Sequence, residues 1–517
     1  MRIGTSGESC SNHLMSALPA DAAEEIEIEA FEHLKPRLAS LWDSVFPGDE
    51  EAYTSVIVPS LTLDQAEVSK ISGASFYEER LLFLLMRLRN PRAHVVYVTS
   101  QPIHPMVLDY YLQLLMGIPA SHARARLTLL CVYDNSARSL TEKILERPRV
   151  IERIRASIAD PERAYLTVYN STTLERRLAV RLGIPMNAPD PRLVGWGSKS
   201  GGRRLFDEAG IDQPLGYGDL HSVDDIVDRL LIIRQQRPAI RSAILKLNHG
   251  FSGEGNARFD YPEAVDHASV RAALRLLRFS VPSESVTSFL RKLEVGGGVV
   301  EEMLEATEVR SPSVQLRINP RGEVIIASTH EQLLGGPGGQ IFLGCLFPAE
   351  DDYRLQIQEL GVKVARTLAE KGVIGRFSVD FLATRNGAED AWRIAAIEIN
   401  LRMGGTTHPM LALRFLTGGD LDRTTGLFHA LDGRPKYYRA SDNVQSDRYR
   451  GLLPEDLIEI ITTNRLDFNH RTGTGVLFHM IGAVSEFGKF GMIAIGNDRE
   501  EAERLFTRAI DVLDREA

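Results

Sequence analysis

Two short segments concentrate oxygen and nitrogen donors in an apolar setting. One is Val379-Asp380-Phe381, and the other is Ile397-Glu398-Ile399-Asn400-Leu401-Arg402. Side chains alternate along a strand, so Glu398, Asn400 and Arg402 share one face. Charged groups seldom sit among isoleucine and alanine without a partner. Two carboxylates and an amide oxygen are hard ligands, and magnesium is held by one or two carboxylates together with substrate phosphates. Asp380, Glu398 and Asn400 are therefore the candidate metal ligands. Arg402, next along the face, can meet an anion. The alternative is a structural ion pair of Asp380 or Glu398 with Arg402 or Arg376.

Three further segments bear on the same chemistry. In Ile244-Leu-Lys246-Leu-Asn-His-Gly250-Phe-Ser-Gly253-Glu-Gly255 a lysine ends an apolar strand and a glycine-rich loop follows. Glycine lets backbone N–H groups approach phosphate oxygens, and Lys246 adds a compact positive charge. Neither GxxxxGK[ST] nor GxGxxG occurs, and alone the segment reads as a turn. Val300-Glu301-Glu302-Met303-Leu304 runs from a strand into a connection that offers backbone donors and acceptors to a purine edge, with Glu308 placed to accept from ribose hydroxyls. The same residues also read as a solvated acidic surface. Leu334-Gly-Gly-Pro-Gly-Gly-Gln-Ile-Phe-Leu-Gly344 holds five glycines and a proline. Such a stretch is expected to form no regular structure and to cover a substrate as a mobile loop, the alternative being a plain surface loop. His330, Glu331 and His408 are the only nearby candidates for moving a proton, and a lone histidine is more often structural.

These residues need strands to carry them. The N-terminal part alternates helices with strands at Tyr53–Leu61, His94–Ser100, Leu127–Tyr133 and Ala164–Tyr169, which predicts a doubly wound parallel sheet. Pro185-Met-Asn-Ala-Pro-Asp-Pro191 breaks the pattern and marks a boundary. Beyond it, helices are expected over Ser222–Gln235, Pro262–Phe279 and Ser283–Leu293. Strands are expected near 243–248, 299–303, 313–318, 324–328, 378–383 and 393–399. One long helix carries Tyr353, Ile357, Leu360, Val364 and Leu368 on a face and stops at Gly372. The stretch Gly418–Arg450 shows few apolar anchors and marks a second boundary, before strands at 475–484 and 491–495 and a helix over 498–513.

Composition limits the rest. The chain has 517 residues, 44% hydrophobic and 25% charged, as in an ordinary globular protein of several domains. Its formal net charge of −9 argues against a protein that coats nucleic acid. The longest apolar run, Leu81–Met86, falls far short of the ~20 residues of a membrane span. The acidic run Asp21–Glu29 replaces the basic start of a secretory signal. Cys10, Cys131 and Cys345 are sparse and odd in number, which suggests a reducing compartment, the cytoplasm.

Lys246 with its glycine loop, the acidic segment 301–308, Asp380 and Glu398-Ile-Asn400-Leu-Arg402 occur in the order seen in the ATP-grasp superfamily, and this stretch resembles it over about 195–417. GRFSVDF (375–381), EINLRMGGTTHP (398–409) and the Gly-Pro-Gly-Gly loop resemble the peptide ligases of pheganomycin-type biosynthesis. The likeness implies a pre-ATP-grasp α/β domain (1–190), an ATP-grasp domain of α+β type (191–420) and a C-terminal region packed on it (421–517). It further implies that Lys199 and Lys246 hold ATP phosphates and Gly253 lies in the phosphate loop. Glu301, Glu302, Met303 and Leu304 would meet adenine, mostly through backbone, and Glu308 the ribose. Asp380, Glu398 and Asn400 would bind Mg2+, and Arg402, with Arg376, would steady the transferring phosphoryl group. The implied activity is a carboxylate–amine ligase that passes through an acyl phosphate and acts on small-molecule or peptide acids and amines. A kinase on the same scaffold and a non-catalytic nucleotide-binding regulator are the alternatives.

Overall fold

The computed structural model describes residues 20–45, 51–63, 65–69, 71–250, 255–281, 284–336, 339 and 341–517. Cys10 and Gly253 lie outside the described residues.

Strands β1 (Tyr53–Val58), β2 (Ala93–Thr99), β3 (Leu127–Cys131) and β4 (Ala164–Val168) form a parallel sheet in the order β3-β2-β1-β4. The central β1, YTSVIV, is buried at every position, as a strand covered on both faces must be. Helix Ala20–Val45 packs against helix Thr173–Leu182, tied by Arg176 Nε to Glu27 at 2.8 Å. The latter starts in a full capping box, with Thr172 and Glu175 satisfying each other's backbone N–H groups. The apolar run Leu81–Met86 belongs to a 3-10 helix over Ala74–Arg89 that lies on β2.

Next come β5 (Gly216–Leu220), β6 (Ser242–Leu247), β7 (Asn256–Asp260), β8 (Arg278–Phe279) and β9 (Gly298–Glu302), an antiparallel sheet ordered β5-β9-β6-β7-β8. Here the structure corrects one expectation. The helix expected over 262–279 is confined to His267–Ala273, N-capped by Asp266, and a further 3-10 turn ends at Leu276. Phe279 instead joins β7 and packs against Phe289, ring centroids 5.5 Å apart. Pairing and aromatic burial there outweigh helical periodicity.

The remaining strands are β10 (Glu308–Arg310), β11 (Pro312–Ile318), β12 (Val324–Gly335), β13 (Ile341–Phe347), β14 (Gly375–Arg385), β15 (Arg393–Asn400), β16 (Asp420–Asp422), β17 (Leu427–His429), β18 (Pro435–Gln445), β19 (Gly475–His479) and β20 (Lys489–Gly496). They build one antiparallel sheet ordered β10-β14-β11-β12-β13-β18-β17-β16, with β15 on β14 and β20 and β19 continuing from β18. Helix Arg354–Glu370 lies across β11 and β12, where a side chain at Gly361 would strike Val314.

Two expectations fail inside this sheet. The glycine-rich stretch is largely a hairpin, because β12 runs to Gly335 and β13 begins at Ile341. Its glycines allow pairing. A Cβ at Gly335 would collide with Leu343, one at Gly336 with Ile341, and one at Gly344 with the Ala440 carbonyl of β18. Residues 418–450, read as poor in apolar anchors, do supply them. They hold β16, β17 and β18, and Tyr438, Ala440 and Val444 alternate into the core from β18. The pairing of β13 with β18 makes the C-terminal strands part of the same sheet as β14 and β15.

Candidate active site

A cleft of about 970 Å³ opens between the five-stranded sheet, the large sheet and the N-terminal domain. Strand register sets its floor. Asp380 of β14 lies opposite Glu398 of β15 and Ser313 of β11, and Ser378 lies opposite Asn400 and Gln315. One face of three adjacent strands thus presents Asp380, Glu398 and Asn400 to the cleft. The Asn400 amide donates to Asp380 Oδ2 at 3.0 Å, and Arg402 Nη2 donates to Asn400 Oδ1 at 2.9 Å.

Two facing carboxylates repel. Burial and then Glu398 push the Asp380 carboxyl up to about 7. Burial acts the same way on Glu398, but the Lys199 ammonium, bonded to Glu398 Oε1, overcomes it and holds that carboxyl low. Lys199 begins helix Lys199–Glu208, which Ser198 caps by accepting from Gly201 N–H at 3.0 Å. The pair needs a cation or a proton, and its donor set of two carboxylates and an amide fits Mg2+. Across the cleft, Lys246 of β6 reaches Glu301 of β9 at 2.7 Å, and Arg203 reaches the same carboxylate at 2.7 Å. Burial works to raise Glu301, and the two cations hold it below the usual range.

Lys199, Lys246, Glu301, Glu302, Met303, Leu304, Asp380, Glu398, Asn400 and Arg402 all line this cleft. Glu308, Arg376, His330 and His408, also singled out in the sequence, do not. Glu308 pairs with Arg385 at 3.0 Å, although the next residue, Val309, lines the cleft. Arg376 lies on β14 opposite Arg317 of β11, and burial, with Arg414 and Arg87 nearby, lowers its guanidinium to about 10. His330 is buried against Tyr438, 2.6 Å from its hydroxyl, and burial pushes it down to about 3. Glu331 lines the cleft and accepts from the Tyr353 hydroxyl at 2.7 Å.

The opposite end of the cleft carries a group that sequence reasoning missed. Tyr77 and Arg80 come from the N-terminal domain, Asp442 from β18 and Lys489 from β20. Arg80 Nη1 donates to Asp442 Oδ2 at 2.7 Å, and Lys489 Nζ donates to the Tyr77 hydroxyl at 3.1 Å. His479 Nε2 lies 2.8 Å and His408 Nε2 3.3 Å from Asp442 Oδ1. No motif signals this group, because its members lie hundreds of residues apart; Arg80 and Asp442 are separated by 362 positions.

A family model described as IQCH-like, ATP-grasp matches residues 194–277 and 279–424, and one described as the PGM1 C-terminal domain matches residues 456–509. The L-propargylglycine–L-glutamate ligase of Streptantibioticus cattleyicolor is 28% identical over 467 residues, covering 89% of this chain and 94% of that protein. The IQ motif-containing protein H of Danio rerio is 24% identical over 464 residues; the match takes in 80% of this chain but only 43% of that protein. In structure, a biotin carboxylase from Campylobacter jejuni, solved as a complex with β,γ-ATP, superposes with a TM-score of 0.55 at 14% identity, covering 90% of this chain and 95% of that one. The biotin carboxylase domain of the Hydrogenobacter thermophilus 2-oxoglutarate carboxylase, solved with MgADP, ADP and bicarbonate, gives 0.55 at 12% identity, covering 89% and 90%. These two likenesses establish the fold. Among the described residues, no helix is long and apolar enough to cross a membrane.

Proposed function

We propose that this chain, which through residues 194–424 is a member of the ATP-grasp superfamily, joins a carboxylic acid to an amine at the expense of ATP. A carboxylate oxygen of the acid attacks the γ-phosphorus, ADP leaves, and an acyl phosphate forms. The amine nitrogen then attacks the acyl carbon, phosphate leaves, and an amide results. The relative named for L-propargylglycine and L-glutamate supports amino acids as both substrates.

The chain's own residues position and neutralise, which is most of what phosphoryl transfer demands of a protein. Lys199 and Lys246 hold the phosphate oxygens. The Glu301–Leu304 segment takes the purine, mostly through its backbone. Asp380, Glu398 and Asn400 would hold Mg2+, which would offset the charge of the phosphate oxygens. Arg402, oriented by Asn400, faces the acyl phosphate. The hairpin of β12 and β13 walls the cleft through Leu334, Gly339 and Ile341 and keeps water from the intermediate.

The observation that carries this reading is the register that sets Asp380 against Glu398 within reach of Lys199. Oxygen-18 placed in the acid's carboxylate tests it. Label is expected in the released phosphate, and its absence overturns the acyl-phosphate route. A stable phosphorylated product formed without any amine would instead make the chain a kinase.

A further inference from the structure

We infer that Arg80 is a binding group for a substrate carboxylate that the reaction leaves intact, so that one substrate is an amino acid or peptide with a free acid. The inference rests on the ligase reading for its context and on the following geometry for its content.

Arg80 lines the cleft, yet it is only 4% exposed. Its guanidinium lies 4.6 Å from the Tyr77 ring centroid and 4.9 Å from that of Tyr169. Those contacts fix the group, and Asp442 takes Nη1. The other edge, Nε with Nη2, is buried and has no hydrogen-bond partner. A buried donor left unmade costs about 1–3 kcal/mol, more when charged, so two on one guanidinium call for an acceptor. The Nε–Nη2 edge presents two parallel N–H groups, the fork that matches a carboxylate's two oxygens.

Charge agrees. Arg80 and Lys489 bring two cations to this end, and Asp442 alone opposes them. Burial would raise Asp442, but His408, Arg80 and His479 hold it far below the usual range and keep it ionised. Arg80 and Lys489 against Asp442 leave one positive charge, which one carboxylate cancels. The free edge is buried, so the wall beside Arg80 must part to seat a carboxylate on it. Half-buried Tyr77, in the cleft-lining segment Ile71–Tyr77, is the side chain that can yield.

The test is calorimetric. The full chain with MgATP is titrated with the standard protein L-amino acids and with the same compounds capped as carboxamides. At least one free acid is expected to bind, with its carboxamide at least about tenfold weaker, the worth of one charged bidentate contact. In Arg80→Gln that preference should vanish, and in Arg80→Lys part of it should survive. Arg80→Gln leaves Asp442 without its cation and can unfold, so Arg80→Gln/Asp442→Asn, neutral at both positions, is measured beside it. Carboxamides binding as tightly as acids, binding by no free acid, or a preference that persists in the double variant overturns the inference. The ligase reading fails separately, by absence of ADP and amide formation while the carboxylate preference stands.

Discussion

At the Lys199 end of the cleft, Asp380 and Glu398 face each other because β14 and β15 pair in that register, and Lys199, at the start of its helix, pairs with Glu398. At the Arg80 end, a helical segment of the N-terminal domain meets two C-terminal strands, and Tyr77 and Lys489 are 412 positions apart. The first end is local and rigid, as a site for an invariant phosphate chain can be. The second is assembled from distant parts of the chain, so its shape can change without disturbing the first. Fixed chemistry and variable recognition thus occupy different kinds of structure.

The sharpest way to break this contrast is at the local end. Glu398→Gln keeps volume but removes a metal ligand and the Lys199 partner. Turnover, read as phosphate release, should fall by ~10³-fold, while relief of the repulsion with Asp380 offsets the missing ion pair and the melting temperature moves little. Activity within tenfold of the parent chain would mean that the Asp380–Glu398 pair is structural.

The assembled end should instead announce itself in stability. Burial pushes Glu79 up to about 7, against the N–H of Gly482 at 3.0 Å, where N-terminal domain and C-terminal region meet. Below its unfolded value of 4.5 the carboxyl is protonated in both states. Between that value and about 7 the folded chain holds a proton that the unfolded chain releases, so folding stability falls as pH rises through this window. The decrease amounts to on the order of 3 kcal/mol. Glu79→Gln should flatten the slope in urea unfolding across the same range. An unchanged slope would assign the pH dependence elsewhere, to Glu78, which burial also pushes up to about 7.

Packing at that end is equally exacting. His479 lies over Gly491 on the neighbouring strand, where a Cβ would collide with the imidazole. Gly491→Ala should cost about 1–3 kcal/mol in denaturant unfolding. It should also displace His479 from Asp442 and weaken amino-acid binding more than ATP binding. Equal weakening for both ligands would show that the two ends are coupled.

What the sequence disclosed follows the same division. Alternation within β14 and β15 made Asp380, Glu398, Asn400 and Arg402 readable, because strand geometry fixes which residues share a face. The parallel N-terminal sheet was readable because β1, β2 and β4 are short apolar runs between helices. Arg80, Asp442 and Lys489 were not readable, since no local pattern reports an interaction across 362 positions. Glycine misled once. In the 334–344 stretch it permits close strand pairing rather than a loop, a distinction that only the neighbouring side chains decide.

Glu308 gives the smallest effect and the finest discrimination. Its spacing from Glu301 puts it near a ribose, yet its carboxylate pairs with Arg385, and β10 is held to β14 in register 308↔385. Both partners are partly solvated, so the ion pair is worth about 0–1 kcal/mol. Glu308→Gln should therefore leave stability nearly unchanged, and the KM for ATP becomes the deciding number. If the carboxylate accepts from ribose hydroxyls, removing its charge raises that KM about tenfold or more, since hydrogen bonds to charged groups are worth about 1.5–3 kcal/mol. With Arg385 as its sole partner, KM stays within about twofold. The structure favours the smaller change, because the carboxylate already has its cation and the cleft begins one residue later, at Val309.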